Sequence, residues 1–289
     1  MDIGLNKLLK NPMIRVWLFN AVKYLTYGYL CYNGLQFYQN ESAAGGVTFA
    51  GGLNLSEIIE VYSASIDTTF WILLVVLLEL ETYLIDDEVL KRPAVKWGMM
   101  AANGLCYTMI LWAWYGYIAK FMFQADIVPL IVANACALVE QNYSILVALE
   151  EYIPLTADNC RTLAGQELFR LNGYNIIAPL NDLEYARNVA MIDIFNSTSW
   201  IGVVAVLGVD VWYQLKGNYS GLLLKVSNIA KVILYTTLFG CAAAWAYTGE
   251  LLDITDAVLW LFAFFFIELN LFQWQQETEE EERAAAATA

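Results

Sequence analysis

DTTFWILLVVLLELETY, from Asp67 to Tyr83, is the stretch on which the reading of the fold turns. It opens with a polar capping run and continues as an apolar helix long enough to cross most of a bilayer. Glu79 and Glu81 lie in its second half. Two later stretches follow the same pattern: NSTSWIGVVAVLGVDVWY from Asn196, and DAVLWLFAFFFIELNLF from Asp256. In each, a tryptophan stands four residues after the polar start, at Trp71, Trp200 and Trp260. Glu79 and Glu268 then follow their tryptophans by eight residues, and Glu81 and Asp210 by ten.

Composition points the same way. The 289 residues are 59% hydrophobic and only 15% charged, where a soluble domain carries about 25% charged residues. Mean hydropathy is +0.50, and several apolar runs approach the roughly 20 residues that span hydrocarbon. The expectation is an all-α integral membrane protein of six transmembrane helices. The first residues, MDIGLNKLLKNP, lack the apolar core and cleavage site of a signal peptide, so the first span is expected to be retained.

The expected spans are Ile14–Phe37, Asp67–Ile85, Val95–Phe123, Ser197–Tyr213, Val226–Tyr247 and Ala257–Gln273. Ser42–Gly52, rich in small residues, reads as a flexible loop. Asn54 and Glu57 are spaced as a capping box for a short surface helix. Organisation is expected as membrane helices in 1–123, an outer insertion over 124–195, membrane helices in 196–275 and a mobile acidic tail over 276–289. The insertion reads as mostly helical: Ile127–Tyr152, Ala157–Leu171 and Asn181–Phe195.

A shared lead-in strengthens a repeat reading. Lys10-Asn11-Pro12 precedes the first span and Lys91-Arg92-Pro93 the third, with proline in a first helical turn and cations at the lipid surface. The six helices then form three hairpin repeats. Lysine and arginine cluster at one set of helix ends, so the positive-inside rule places both termini in the cytoplasm and 124–195 on the outer side.

The chain has no histidine, which excludes His-ligated metals and Ser-His or Cys-His couples. Five cysteines show no CxxC spacing, and no metal site, catalytic residue, cofactor or nucleic-acid partner is expected. Cys136 and Cys160 form a disulfide if the outer side is oxidising; two separate buried thiols are the alternative. An enzyme is disfavoured, carboxylate-only chemistry being the sole route left to one.

The ion-binding candidates are Glu79, Glu81, Asp210 and Glu268. A carboxylate inside a membrane helix costs on the order of 2.5–3.5 kcal/mol at its centre and persists only if paired, protonated or wet. Acids at one depth in three repeats suggest cation or proton translocation. The plainer reading pairs them with nearby cations such as Lys23 and Lys231. The alternative function is a non-catalytic structural or accessory subunit of a larger membrane complex. Expected partners are the lipid bilayer, small cations, and other membrane subunits or further copies of the chain. None of the five prolines lies inside an expected span, which argues against the broken helices of many transporters.

Overall fold

A computed structural model describes residues 12–49, 54–85, 87–132, 134–215, 222–264 and 266. The long helices are α1 (Pro12–Thr48), α3 (Ser63–Glu79), α5 (Pro93–Ala125), α6 (Leu180–Leu215) and α7 (Leu222–Thr248). Two short helices, α2 (Leu55–Val61) and α4 (Asp87–Leu90), sit between them, and residues 251–264 are helical as well. A π-helical turn, Leu80–Leu84, ends the run that begins with α3.

The segment between α5 and α6 is not helical in the way the sequence suggested. It holds five strands: β1 (Ile127–Leu130), β2 (Ser144–Ala148), β3 (Glu151–Pro154), β4 (Leu168–Leu171) and β5 (Ile176–Pro179). They form one sheet in the order β1-β4-β5-β2-β3. All neighbours are antiparallel except β2 and β5, which run parallel with Ser144 opposite Ile176. The expected helix over Ile127–Tyr152 fails because its apolar runs are four or five residues long and rich in β-branched side chains. Pro129 and the left-handed Asn142 (φ 54°) punctuate them.

Period-two alternation then divides the sheet between two cores. Ile145 and Ile177 face one core with Leu138, Leu163 and Leu168, covered by the 3₁₀ segments Ala135–Gln141 and Cys160–Leu163. Leu146, Ile176 and Ala178 face the other core, where Leu183 and Ala186 of α6 pack against them.

The expectation of six all-α membrane spans in three hairpin repeats is therefore wrong. The fold is mixed, and among the described residues two helices are long and apolar enough to cross a membrane: Leu180–Asp210 within α6, and α7. The three repeated polar starts are not helix starts. Asp67 lies inside α3, Asn196 inside α6 and Asp256 inside the helical residues 251–264. Short polar side chains serve caps well, but mid-helix they bond elsewhere. Ser199 Oγ donates back to the Phe195 carbonyl at 2.7 Å, Asp67 accepts from the Tyr117 hydroxyl at 3.2 Å, and Asp256 accepts from Asn33 Nδ2 at 3.2 Å. With no proline or glycine between Asn181 and Ile201, the outer helix and the fourth expected span merge into the 36-residue α6.

Ser42–Gly52 is corrected in part, since α1 continues to Thr48 and residues 50–53 lie outside the described residues. Gly45 serves packing there: a Cβ on it would meet Val61 Cγ1 at 2.7 Å. The short helix after it forms with Asn54 N–H donating to the Glu57 carboxylate at 2.7 Å.

The chain divides into two compact units. The first comprises Met1–Leu35, Thr68–Thr108 and Thr255–Ala289. In its described part Trp71, Trp260 and Phe264 are all buried, with ring centroids 6.2–6.4 Å apart. The second comprises Gln36–Asp67 and Met109–Ile254, and so contains the sheet, α2, α6 and α7. Within it α6 and α7 form an antiparallel hairpin. Tyr185 pairs with Thr248 and Glu250 at one end, Gly202 lies against Leu234, and Asp210 meets Lys231 at the other.

Candidate functional site

Three of the four carboxylates singled out from the sequence, Glu79, Glu81 and Asp210, are held by other side chains. In the first unit, Glu79 of the α3 run accepts from Lys23 Nζ of α1 at 2.9 Å and from the Tyr27 hydroxyl at 3.0 Å. Lys23 is itself only 1% exposed. Glu81, in the π-turn, accepts from Asn103 Nδ2 at 3.4 Å. In the second unit, Asp210 of α6 accepts from Ser227 Oγ at 2.7 Å and from Lys231 Nζ at 2.8 Å, both on α7. Glu268 lies outside the described residues. Cys136 and Cys160 are bonded, with a Cα–Cα separation of 5.0 Å, and link the two 3₁₀ segments over the sheet.

A denser polar cluster lies in the second unit at residues the sequence reading did not select. Lys120, near the end of α5, is 4% exposed and sits between two carboxylates. Its Nζ is 2.7 Å from Glu150 Oε1 and 3.4 Å from Glu41 Oε1. Glu41, on α1, is 1% exposed and also accepts from the backbone N–H groups of Ala64 (2.7 Å) and Ser65 (3.0 Å) and from the Ser65 hydroxyl. These amides belong to the first turn of α3, whose donors have no partner within the helix. Glu41 is thus a cap supplied from another helix, and the positive end of the helix dipole favours its negative charge.

Glu150 comes from the two-residue turn between β2 and β3, where its own φ is +61°. A non-glycine residue in this region is strained, and its ion pair with Lys120 fixes the side chain that the turn presents. Beside the pair opens a small solvent-connected crevice with a cavity volume of about 20 Å³, lined by Glu60, Lys120, Gln124, Glu150 and Tyr152, with Gly45 and Phe123 in its wall. Gln124 is 1% exposed, and its Nε2 donates to the Tyr152 hydroxyl at 3.4 Å. Its Oε1 is buried with no hydrogen-bond partner among the described residues.

Burial dominates the electrostatics. It pushes the Glu41 carboxyl up to about 7 against the pull of Lys120 and the Ser65 hydrogen bonds, with Glu150 adding to the rise. Burial draws Lys120 downward, but Glu150 and Glu41 outweigh it and hold the ammonium above the ordinary lysine range. Burial first, and then the charge of Glu57, raises Glu60, while Lys120 opposes the rise. The Tyr152 phenol is held up by burial and by Glu150.

Part of this cluster is legible in the sequence. A lysine in the apolar run Trp112–Phe123 calls for an acidic partner if it is buried. Glu41 directly precedes Ser42–Gly52, the stretch expected as a loop. Glu150 gave no signal, because its partner depends on a hairpin hidden in an apparent helix. No family model, curated protein or solved structure matches the chain.

Proposed function

We propose that the chain is a membrane-anchored, non-catalytic subunit of a larger assembly, held in the bilayer by α6 and α7. In this reading the disulfide-bonded sheet lies on an oxidising side. Of the apolar windows in α6 and α7, only 33% and 17% of residues are buried. A core helix of a soluble protein is mostly covered, so these faces suit lipid or other membrane helices. Along α7, Val226, Ile229, Val232, Ile233 and Phe239 are each more than half exposed. Disulfides persist in oxidising compartments, which supports placing the Tyr185 end of the hairpin outside. The Asp210–Lys231 end then lies inside, about 37 Å away at the helical rise of about 1.5 Å per residue.

The observation that carries the subunit reading over translocation is the pairing of the acids. Glu79 is bonded to Lys23 and Tyr27, and Asp210 to Lys231 and Ser227. A transported cation or proton would have to break pairs whose loss leaves a buried charge, at roughly 3–5 kcal/mol each. Two experiments test the two functions. Purified protein in liposomes is expected to give no sodium, potassium or proton flux above empty vesicles. Mild-detergent extraction of membranes containing the native partners is expected to return a particle larger than the single chain. Flux abolished by Glu79→Gln or Asp210→Asn would favour translocation, and a monodisperse monomer from native membranes would sink the subunit reading.

A further inference from the structure

We infer that the crevice beside Lys120 is a binding site for one small monovalent cation, held by oxygen atoms of Glu60, Gln124, Glu150 and Tyr152. Two independent features lead there. The first is a charge imbalance: Glu60 and Glu150 line the crevice with Lys120, whose ammonium also pairs with Glu41 behind it. Lys120 is committed to Glu41 and Glu150, and no ion pair to Glu60 exists among the described residues. The second is Gln124, a residue of the crevice wall whose buried Oε1 has no hydrogen-bond partner among the described residues. An unsatisfied buried acceptor costs about 1–3 kcal/mol, and exchange of the amide's O and N would only leave a donor orphaned in its place.

The chemistry of the lining selects the ligand class. Carboxylate, amide and phenol oxygens are hard donors, suited to alkali and alkaline-earth cations rather than soft metals. Divalent ions are disfavoured, because no three acidic or thiol groups converge closely enough to hold a metal among the described residues. An anion is disfavoured by the surplus of carboxylates. Organic ligands are disfavoured by size, since a cavity volume of about 20 Å³ holds a single water-sized guest and falls far below the usual range for such sites. A bound cation would also oppose the upward push that burial and Glu57 give Glu60. Gly45 keeps the wall open, because Val61 already fills the space a larger residue would need.

The test is thermal unfolding of the full-length protein in detergent, titrated with sodium or potassium chloride. N-methylglucamine chloride keeps the ionic strength constant. At a hundredfold excess over the dissociation constant, one alkali cation is expected to raise the midpoint by about 5 °C over N-methylglucamine. Glu60→Gln should abolish the rise. Gln124→Leu should also abolish it while leaving the ion-free protein as stable as wild type or more so, because the orphaned acceptor is gone. If either variant fails to fold, the other decides. Equal midpoints in all three salts, or an ion response that survives both substitutions, would overturn the assignment. So would a response to calcium or magnesium alone. The subunit reading is judged by flux and particle size, so the two proposals fail separately.

Discussion

Replacing Lys120 with methionine removes the one ammonium that Glu41 and Glu150 share, at close to constant volume. Glu41 is almost wholly buried and Glu150 is 20% exposed in its side chain, so water can rescue Glu150 but not Glu41. Stranding a buried charge costs roughly 3–5 kcal/mol. For a chain of this size that lowers the unfolding midpoint by about 10 °C. The Ala64 and Ser65 donors remain, which places the expectation at the lower end of that range. The loss should depend on pH. Burial puts the Glu41 carboxyl at about 7 in the folded chain against 4.5 in its ordinary state, so near pH 5 the acid takes up a proton and the penalty shrinks. Adding Glu41→Gln to Lys120→Met should restore part of the loss at pH 8 and little at pH 5. The assay is scanning calorimetry or dye-monitored unfolding in detergent at both pH values. A Lys120→Met variant that loses under 1 kcal/mol at pH 8, or the same amount at both pH values, would refute the reasoning.

Three other outcomes follow from the same structure. Because Glu41 binds its proton more tightly when folded, its contribution should fall as pH rises from 4.5 through 7, and Glu41→Gln should flatten the midpoint over that window. Gly116→Ala places a Cβ 2.3 Å from the Ile59 carbonyl oxygen and 2.9 Å from Ser63 Cβ. Since backbone must move, it should destabilise by about 3 kcal/mol. Gly104→Ala meets nothing within 4 Å and should stabilise α5 by about 0.5–1 kcal/mol, so the pair read by thermal unfolding separates packing from helix propensity. Reducing Cys136–Cys160, or changing Cys136 to serine, opens a loop with a sequence separation of 24. That should cost about 3.5 kcal/mol in the chain-entropy account, measured as earlier proteolysis within the sheet.

Helices were legible where apolar residues run long and unbroken. The cores of α1, α5 and α7 coincide with expected spans, and the short helix after Asn54 forms where its capping residues sit. The sheet was not legible. IVPL, SILVA, EYIP, LFRL and IIAP are each too short to separate strand from helix by period, and their pairing depends on partners far along the chain. The three-fold repeat misled because a polar residue before an apolar run is the mark of a cap. Here those same residues make tertiary hydrogen bonds from inside helices, as Asp67 does with Tyr117. Glu79 and Asp210 stood out as charges inside apolar runs and are buried, but nothing local in the sequence names the partner of a buried charge. Glu41, Lys120 and Glu150 come from α1, α5 and a β-turn, and only folding brings them together.

The sheet joins its helices almost without slack. Ala125 ends α5 and Ile127 begins β1, while Pro179 ends β5 and Leu180 begins α6. The register sets Ile127 opposite Leu171 and Pro179 opposite Leu168. Three residues along the strands and two strand spacings across them put the attachments roughly 14 Å apart. Two stiff anchors at that separation resist twisting as a single pivot does not. A load on the sheet therefore passes into α5 and α6 as torque, with no linker to absorb it, and the hydrogen bonds of Asn172 to Asp126 bolt the α5 joint itself.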